Sequence, residues 1–314
     1  MMINLEQTAV FLKCRDNFMI LSHGHPDGDT LGSAFALKKA LNKLGKKAEV
    51  RCNDIIPSKF LYMGQTVEEF DYSTLVAVDV ADSKLLGNDF EAKYADRIEL
   101  CIDHHGSNRS FAKMTFLNAD AAANCENILS IIRLLGVEID SDIADCIFTG
   151  LTTDTGCFRY SNVTPTTLRM AADMIECGAR NVEINTVMFE TKTKTYVALE
   201  KLALASMKMY LDDKLAFITI TQDMFRESGS DESEVDAIAS LPRQIEGVLV
   251  GVTMREKPDG TFKISMRSHA PIDVSKICAM MGGGGHPQAG GCQLDLPVEQ
   301  STQRVIECVA LGIK

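Results

Sequence analysis

Across 314 residues this chain has no Cys-x-x-Cys pair, no apolar run long enough to span a bilayer, no repeat at a fixed period and no excess of basic charge. Each absence narrows what it can be. The ten cysteines are dispersed and mostly lie in apolar segments such as Asp145-Cys146-Ile147-Phe148, so they read as reduced, mostly buried thiols rather than a disulfide framework. The opening Met1-Met2-Ile3-Asn4-Leu5-Glu6 has no basic stretch ahead of an apolar one, which indicates neither a signal peptide nor a spanning helix; a cytoplasmic protein is expected. The lack of a period sets aside solenoids and propellers, and no heptad or low-complexity stretch interrupts the chain. The formal charge of −11 argues against a broad surface for duplex DNA, which needs a basic footprint. It leaves short nucleotides open, because metals can neutralise acidic groups and a small phosphorylated substrate needs only a few local cations.

What is present is a globular composition, 46% hydrophobic and 24% charged. At about 150 residues per domain, the length suggests roughly two domains. Histidine is sparse but not scattered: the six residues fall as His23 and His25, His104 and His105, and His269 and His286. The first two pairs sit among aspartates, in His23-Gly24-His25-Pro26-Asp27-Gly28-Asp29 and in Asp103-His104-His105. Imidazole and carboxylate together, without thiolate, suit hard or borderline divalent metals.

The apolar run Phe18-Met19-Ile20-Leu21 reads as a buried strand leading into the first of these segments. Beyond Asp29, the spacing of Leu31, Ala34, Phe35, Lys38, Leu41 and Leu44 is helical and Gly45 is a plausible stop, which predicts the metal-like residues in a strand-to-helix loop. Leu75-Val76-Ala77-Val78 likewise ends in Asp79, Ile98 to Ile102 ends in Asp103, and a helix from about Ile143 to Leu151 delivers Thr152-Thr153-Asp154-Thr155-Gly156. Strands alternating with helices predict an α/β fold with a parallel sheet, whose ligand sites lie outside the carboxyl ends of the strands. After Gly178 the chain reads as mostly helical to about Tyr210, including Thr191-Lys192-Thr193-Lys194. Strands at Lys214–Thr221 and Gly247–Arg255, a Lys257-Pro258-Asp259-Gly260 turn and a return strand through Arg267 then predict a second domain.

Other readings stand beside the metal one. In the first segment, proline and glycine let the side chains point to a common centre, but a turn with a capping aspartate fits equally well. Asp82 fits a helix cap at least as well as a ligand; for Asp79 a metal is favoured, since a carboxylate among other carboxylate-bearing loops would be repelled without a cation. Two imidazoles after Asp103 could form a hydrogen-bonded core cluster, yet one could bind metal while its neighbour faces substrate. Gly282-Gly283-Gly284-Gly285-His286 could be a flexible loop or a backbone nest for an anion. Arg267 could be an exposed strand charge or a bidentate phosphate ligand, and Arg159 a surface salt bridge or a weaker substrate contact.

Taken in order, these segments resemble the DHH phosphoesterases, a family named for the Asp-His-His tripeptide. Its amino-terminal motifs match His23-x-x-x-Asp27-x-Asp29, Asp79, Asp103-His104-His105, and Asp154 within Gly150-Leu151-Thr152-Thr153-Asp154-Thr155-Gly156. The run Gly282 to His286 resembles the glycine-rich signature of the DHH-associated domain, so the likeness covers nearly the whole chain. It implies a parallel-sheet catalytic domain at 1–187, a helical linker at 188–212 and a smaller α/β substrate-binding domain at 213–314, with the active site in the cleft between the domains. It assigns one metal to His23, Asp27 and Asp79, and a second to Asp29, Asp79, His104 and Asp154, with Asp79 bridging and manganese the expected ion. His105 would face the scissile phosphate as a catalytic group, supported by Asp103. Arg267, Gly283, Gly284, Gly285 and His286, with Arg159 more weakly, would bind substrate. His25 departs from the asparagine more often expected at its position, and no role follows for His269.

The resemblance implies hydrolysis of a phosphate ester by hydroxide generated at two metals. Its nearest subgroup is the stand-alone oligoribonucleases (nanoRNases), which degrade very short RNA to mononucleotides and remove the 3′-phosphate from 3′-phosphoadenosine 5′-phosphate. A soluble enzyme acting on cyclic-di-AMP or pApA is the main enzymatic alternative, with RecJ-like exonucleases expected to be longer and family II pyrophosphatases to lack the glycine-rich signature. Membrane-bound cyclic-di-AMP phosphodiesterases carry upstream sensory regions, which this chain is expected to lack. A catalytically inactive nucleotide-binding regulator is the alternative of another class; loss of a ligand would favour it, and none is missing. The expected partners are therefore short RNA or small phosphorylated nucleotides, not extended duplex DNA or a membrane, with room for a homodimer.

Overall fold

The computed structural model describes residues 1–67 and 71–313. They divide into two compact units, Met1–Thr191 and Lys192–Lys314. In the first, α1 (Leu5–Cys14) precedes β1 (Phe18–Leu21), α2 (Gly28–Lys43), β2 (Ala48–Arg51), β3 (Thr74–Val78), α3 (Asn88–Tyr94), β4 (Leu100–Asp103) and β5 (Met114–Leu117). Then come α4 (Asn124–Leu135), α5 (Ser141–Asp154), α6 (Pro165–Glu176), α7 (Asn181–Asn185) and a π-helical turn, Thr186–Glu190.

The five strands form one parallel sheet in the order β2-β1-β3-β4-β5. Both faces are buried, as the apolar runs require. Phe18, Ile20, Val76, Val78, Leu100 and Ile102 point into a core shared with α1, α2, α4 and α5, while Met19, Leu21, Leu75, Ala77 and Cys101 point to the other face, against Phe90 and Tyr94 of α3. The strand order reverses between β1 and β3, and such a switch point opens a crevice at the carboxyl ends of the strands. The expected helix after Asp29 starts earlier, so Asp27 is the N-cap of α2 and Asp29 lies in its first turn rather than in a loop. Gly45, at φ +77°, ends it as expected.

Helices α2 and α5 cross closely because small residues face each other. A Cβ on Gly28 would meet Thr153 Oγ1 at 2.4 Å, one on Gly32 the Cys146 carbonyl oxygen at 2.4 Å, and one on Gly150 Asp29 Oδ1 at 2.6 Å. Gly28 therefore serves close approach between helices rather than the loop flexibility its sequence context suggests.

The second unit contains α8 (Lys194–Ala205), β6 (Lys208–Tyr210), β7 (Leu215–Ile220), α9 (Gln222–Ser228), α10 (Val235–Ile238), β8 (Val250–Glu256), β9 (Phe262–Ser268), α11 (Val274–Ala279), β10 (Gly284–His286), β11 (Ala289–Leu294) and α12 (Val298–Gly312). Its mixed sheet runs β10-β11-β9-β8-β7-β6, with β7 and β8 parallel and the other pairs antiparallel. The Asp-Gly hairpin forms as expected: Lys257 N donates to Thr261 O at 2.8 Å and Gly260 takes φ +82°.

The stretch 188–212 differs from a continuous helical connection. It breaks at Thr193, whose hydroxyl caps α8 by accepting from Tyr196 N; Tyr196, Leu199 and Ala203 pack on Ile218 and Ile220, and Lys208–Tyr210 is a strand of the second sheet. The cysteines follow expectation, all ten being free, with Cys101, Cys125, Cys146, Cys278, Cys292 and Cys308 buried. Among the described residues, no helix is long and apolar enough to cross a membrane.

Candidate metal centre

At the switch point, the ends of β1, β3 and β4 and the termini of α2 and α5 bring six of the expected ligands together. His23, Asp27 and Asp79 form one group and Asp29, His104 and Asp154 another, the ligand atoms of each lying within 4.8 Å of one another. His23 Nε2 is 3.7 Å from Asp27 Oδ1 and 3.7 Å from Asp79 Oδ2. His104 Nε2 is 3.5 Å from Asp79 Oδ1, 3.4 Å from Asp154 Oδ2 and 3.8 Å from Asp29 Oδ2. These separations are long for hydrogen bonds. They suit ligands around a cation, where bonds of about 2.1 Å put neighbouring donor atoms roughly 3–3.5 Å apart.

Two buried atoms, Asp79 Oδ1 and His104 Nε2, have no hydrogen-bond partner. A buried carboxylate oxygen and imidazole nitrogen left unpaired facing each other are costly unless a cation serves both. The ring orientations agree with this. His23 Nδ1 donates to Gly24 O at 2.7 Å and His104 Nδ1 to Ala121 O at 3.0 Å, which leaves the Nε2 lone pair of each ring turned to the carboxylates. The donor set fits a pair of divalent ions.

Asp29 is fully buried and accepts two main-chain amides at the start of α4, from Asn124 at 2.5 Å and Cys125 at 2.9 Å. Asp79 stands immediately after β3 in a left-handed conformation, φ +59°, strained for a residue other than glycine. Asp82, by contrast, is a cap, accepting from Lys84 N at 3.2 Å. Asp103 is buried beneath His105, with Oδ1 accepting from His105 Nδ1 at 2.8 Å and Oδ2 from Asn108 Nδ2 at 2.6 Å. Sequence reasoning missed Asn108 and the α4 amides. Asn108 lies five residues after Asp103 and could have been suspected; the amides, 95 and 96 residues from Asp29 in the chain, could not.

The carboxylates strain one another electrostatically. Burial, with the charges of Asp29, Asp27, Asp154 and Asp103, pushes Asp79 well above the usual range, and burial with Asp29 and Asp27 pushes Asp154 up to about 9. Burial would lower His23, but the neighbouring Asp27 carboxylate outweighs it, so its pKa is raised. A carboxyl whose folded pKa exceeds its unfolded value contributes stability that is complete below the unfolded value and lost as pH rises through the folded one. For Asp154 that window runs from 3.8 to about 9. The raised His23 and His105 act in the same direction above 6.5. The metal-free protein should therefore melt at progressively lower temperature as pH climbs from about 6 to about 9. Manganese should flatten that curve and release protons on binding, measurable by calorimetry in buffers of different ionisation enthalpy. A metal-free melting temperature that climbs over this interval would contradict the arrangement.

The remaining candidates fall elsewhere. His25, at φ +55°, contacts a residue 29 positions on: its amide and Nδ1 lie 3.0 and 3.1 Å from Asp54 Oδ2, with the ring exposed. Arg159 follows α5, exposed, its Nε donating to Gly156 O at 2.6 Å. In the second unit, His286, Ala289 and Arg267 are register partners on three adjacent strands, so they share one face of the sheet. The glycine run is ordered rather than a flexible loop. Gly284–His286 is strand β10, the Gly282 and Gly283 amides are spent on Ala279 and Cys278 carbonyls, and a Cβ on Gly283 would meet Gly291 O at 2.2 Å.

Comparison with known proteins gives this geometry a family. The model for the DHH family, N-terminal domain, matches residues 17–151 and the DHHA1 domain matches residues 212–310. The bifunctional oligoribonuclease and PAP phosphatase NrnA of Thermus thermophilus is 33% identical over 92% of this chain and 88% of its own. The chain belongs to the DHH family. Among solved structures, an exopolyphosphatase-related protein from Bacteroides fragilis superposes with a TM-score of 0.89 at 22% identity, covering 98% of this chain and 95% of that one. The exonuclease RecJ bound to manganese gives 0.56 at 14% identity, covering 98% and 94%. Both likenesses show a shared DHH fold. The tripeptide that names the family is the end of β4 and the two residues after it, Asp103, His104 and His105.

Proposed function

We propose that this DHH protein is a metal-dependent phosphoesterase that hydrolyses very short oligoribonucleotides to mononucleotides and removes the 3′-phosphate from 3′-phosphoadenosine 5′-phosphate. The observation that carries the reading is the pair of ligand groups meeting around the unpaired Asp79 Oδ1 and His104 Nε2. The activities named for the Thermus thermophilus relative support this substrate class. His23, Asp27 and Asp79 would hold one ion and Asp29, Asp79, His104 and Asp154 the other, manganese being the ion in the RecJ neighbour. Two such ions would supply a nucleophile at neutral pH and offset charge on the phosphoryl oxygens.

The chain's own groups supply the proton. Burial would raise the Asp103 pKa, but the hydrogen bonds from His105 and Asn108 hold it below the ordinary value. Its carboxylate in turn raises His105, against burial. With Nδ1 committed to Asp103, His105 presents Nε2 and keeps a proton there to give to the leaving oxygen. Within the second unit, Arg267 and His286 share one face of the sheet and are the proposed phosphate-binding groups of that unit.

The test is turnover on di- to pentaribonucleotides, 3′-phosphoadenosine 5′-phosphate, pApA and cyclic-di-AMP with manganese. Short RNA and 3′-phosphoadenosine 5′-phosphate should be the best substrates; if all are left intact, the enzyme reading fails. His105→Asn should lower kcat by about 10²- to 10⁴-fold and abolish the alkaline limb of the pH profile. A variant retaining that limb would remove His105 from the proton transfer.

A further inference from the structure

Three of the ten cysteines, Cys278, Cys292 and Cys308, are buried together in the core of the second unit. Two of them are placed for more than packing. Cys278 lies on the buried face of α11 with Val274 and Ile277, and Cys292 lies on β11, paired with Ile264 of β9. Residues directly paired across antiparallel strands project to the same side of a sheet. Ile264 belongs to the core that α11 covers, so Cys292 faces that core too. Gly290, two residues before Cys292 and on the same face, touches the other thiol: a Cβ there would meet Cys278 Sγ at 2.8 Å. Gly283 joins the two cysteines. Its amide donates to the Cys278 carbonyl at 2.9 Å, and a Cβ built on it would meet Cys292 Cβ at 2.4 Å.

The two thiols also act on each other. The Cys292 thiol, with the charge of Arg267, lowers the Cys278 pKa against burial, while Cys278 and burial together raise Cys292. One thiol favoured as thiolate beside another kept protonated is the pairing in which the first attacks an oxidant and the second resolves the product. The buried Cys101, Cys125 and Cys146 of the first unit are raised by burial, which leaves them inert. Access to the pair is short. Gly283, set against Cys292, is partly exposed and carries no side chain, so a single layer of main chain stands there between Cys292 and water, and a peroxide is little larger than water.

We propose that Cys278 and Cys292 are a redox modification site, closed to a disulfide by hydrogen peroxide. The Cys278 thiolate attacks one peroxide oxygen: an S–O bond forms, the O–O bond breaks, and the leaving hydroxide takes up the proton given up by Cys278 to become water. Cys292 Sγ then attacks the resulting sulfenic sulfur. The S–S bond forms, the S–O bond breaks, and the departing hydroxide leaves with the Cys292 proton as a second water. Two thiols are oxidised and one peroxide is reduced to two waters. The link closes a loop of thirteen residues, Ala279 to Gly291, which contains the whole glycine run and His286. In a reducing compartment the pair rests as two thiols and the disulfide is transient.

Titrating the full chain with hydrogen peroxide, blocking it with N-ethylmaleimide under denaturing conditions and mapping the peptides by mass tests this. A linked peptide pair joining Cys278 to Cys292 should account for two of the ten free thiols before any other disulfide forms, and dithiothreitol should restore both. Cys292→Ser should leave Cys278 as a sulfenic acid that a 1,3-diketone captures, whereas Cys278→Ser should leave Cys292 unoxidised at the same dose. If a serine variant does not fold, the map of the wild-type chain decides alone. A wild-type chain in which Cys278 and Cys292 both still react with the maleimide after the exposed Cys14 has been oxidised overturns the proposal, as does one in which either is joined to Cys308 instead.

Discussion

Replacing Asp79 by asparagine should lower phosphoesterase turnover by at least about 1,000-fold while raising the melting temperature of the metal-free protein. Asp79 reaches toward both ligand groups, with Oδ2 3.7 Å from His23 Nε2 and Oδ1 3.5 Å from His104 Nε2. On the proposed two-metal reading, removing its charge would take an anionic ligand from both positions, and a loss of electrostatic stabilisation of that size is ordinary for a shared group at a reacting centre. The stability gain follows from the same feature. Burial and the charges of Asp29, Asp27, Asp154 and Asp103 oppose ionisation of this carboxyl, so a neutral amide relieves a repulsion that only cations otherwise offset. Asparagine also tolerates the left-handed backbone at this position, φ +59°, better than most residues, so the comparison is not confounded by new strain. Calorimetry and thermal melts with and without manganese check it: the variant should lose most of the manganese-induced stabilisation. A variant that binds two ions and turns over normally would refute the bridging role.

The second large effect comes from a residue with no side chain. Gly150→Ala would bring a methyl carbon to 2.2 Å from Cys125 Sγ and 2.6 Å from Asp29 Oδ1. Neither neighbour can retreat cheaply, because Asp29 is held by the Asn124 and Cys125 amides and Cys125 is fully buried. Overpacking of this kind costs about 1–3 kcal/mol, or roughly 3–10 °C in melting temperature for a unit of this size. Because the displaced atom belongs to a proposed metal ligand, activity should fall about 100-fold or more, well beyond what the stability loss explains. Measuring both at a temperature where the variant is fully folded separates the two. Full activity in a folded variant would show that α2 and α5 tolerate a wider separation than their glycines suggest.

Much of the site could be read along the chain because its residues sit at the ends of short apolar runs. The strands β1, β3 and β4 are legible as Phe18 to Leu21, Leu75 to Val78 and the run into Asp103, since a parallel sheet buried on both faces needs unbroken hydrophobicity. Other features were not legible. That Asp27 caps α2 and Asp29 belongs to its first turn depends on hydrogen bonds only the folded chain makes. The break at Thr193 interrupts a pattern that otherwise reads as helix, because its hydroxyl offers the backbone a better partner. The glycine run looks like a loop, yet Gly283 lies against Gly291 and its amide is bonded to Cys278.

By itself the sequence determined which chemistry is available, the imidazoles of His23, His104 and His105 with their aspartates in the family's order, because ligand identity is a property of side chains. Only tertiary structure decided how those groups act. The crossing of α2 and α5 and the amides of α4 that bond Asp29 join residues far apart in sequence. Such contacts depend on the packing of whole elements, and local spacing does not encode that packing.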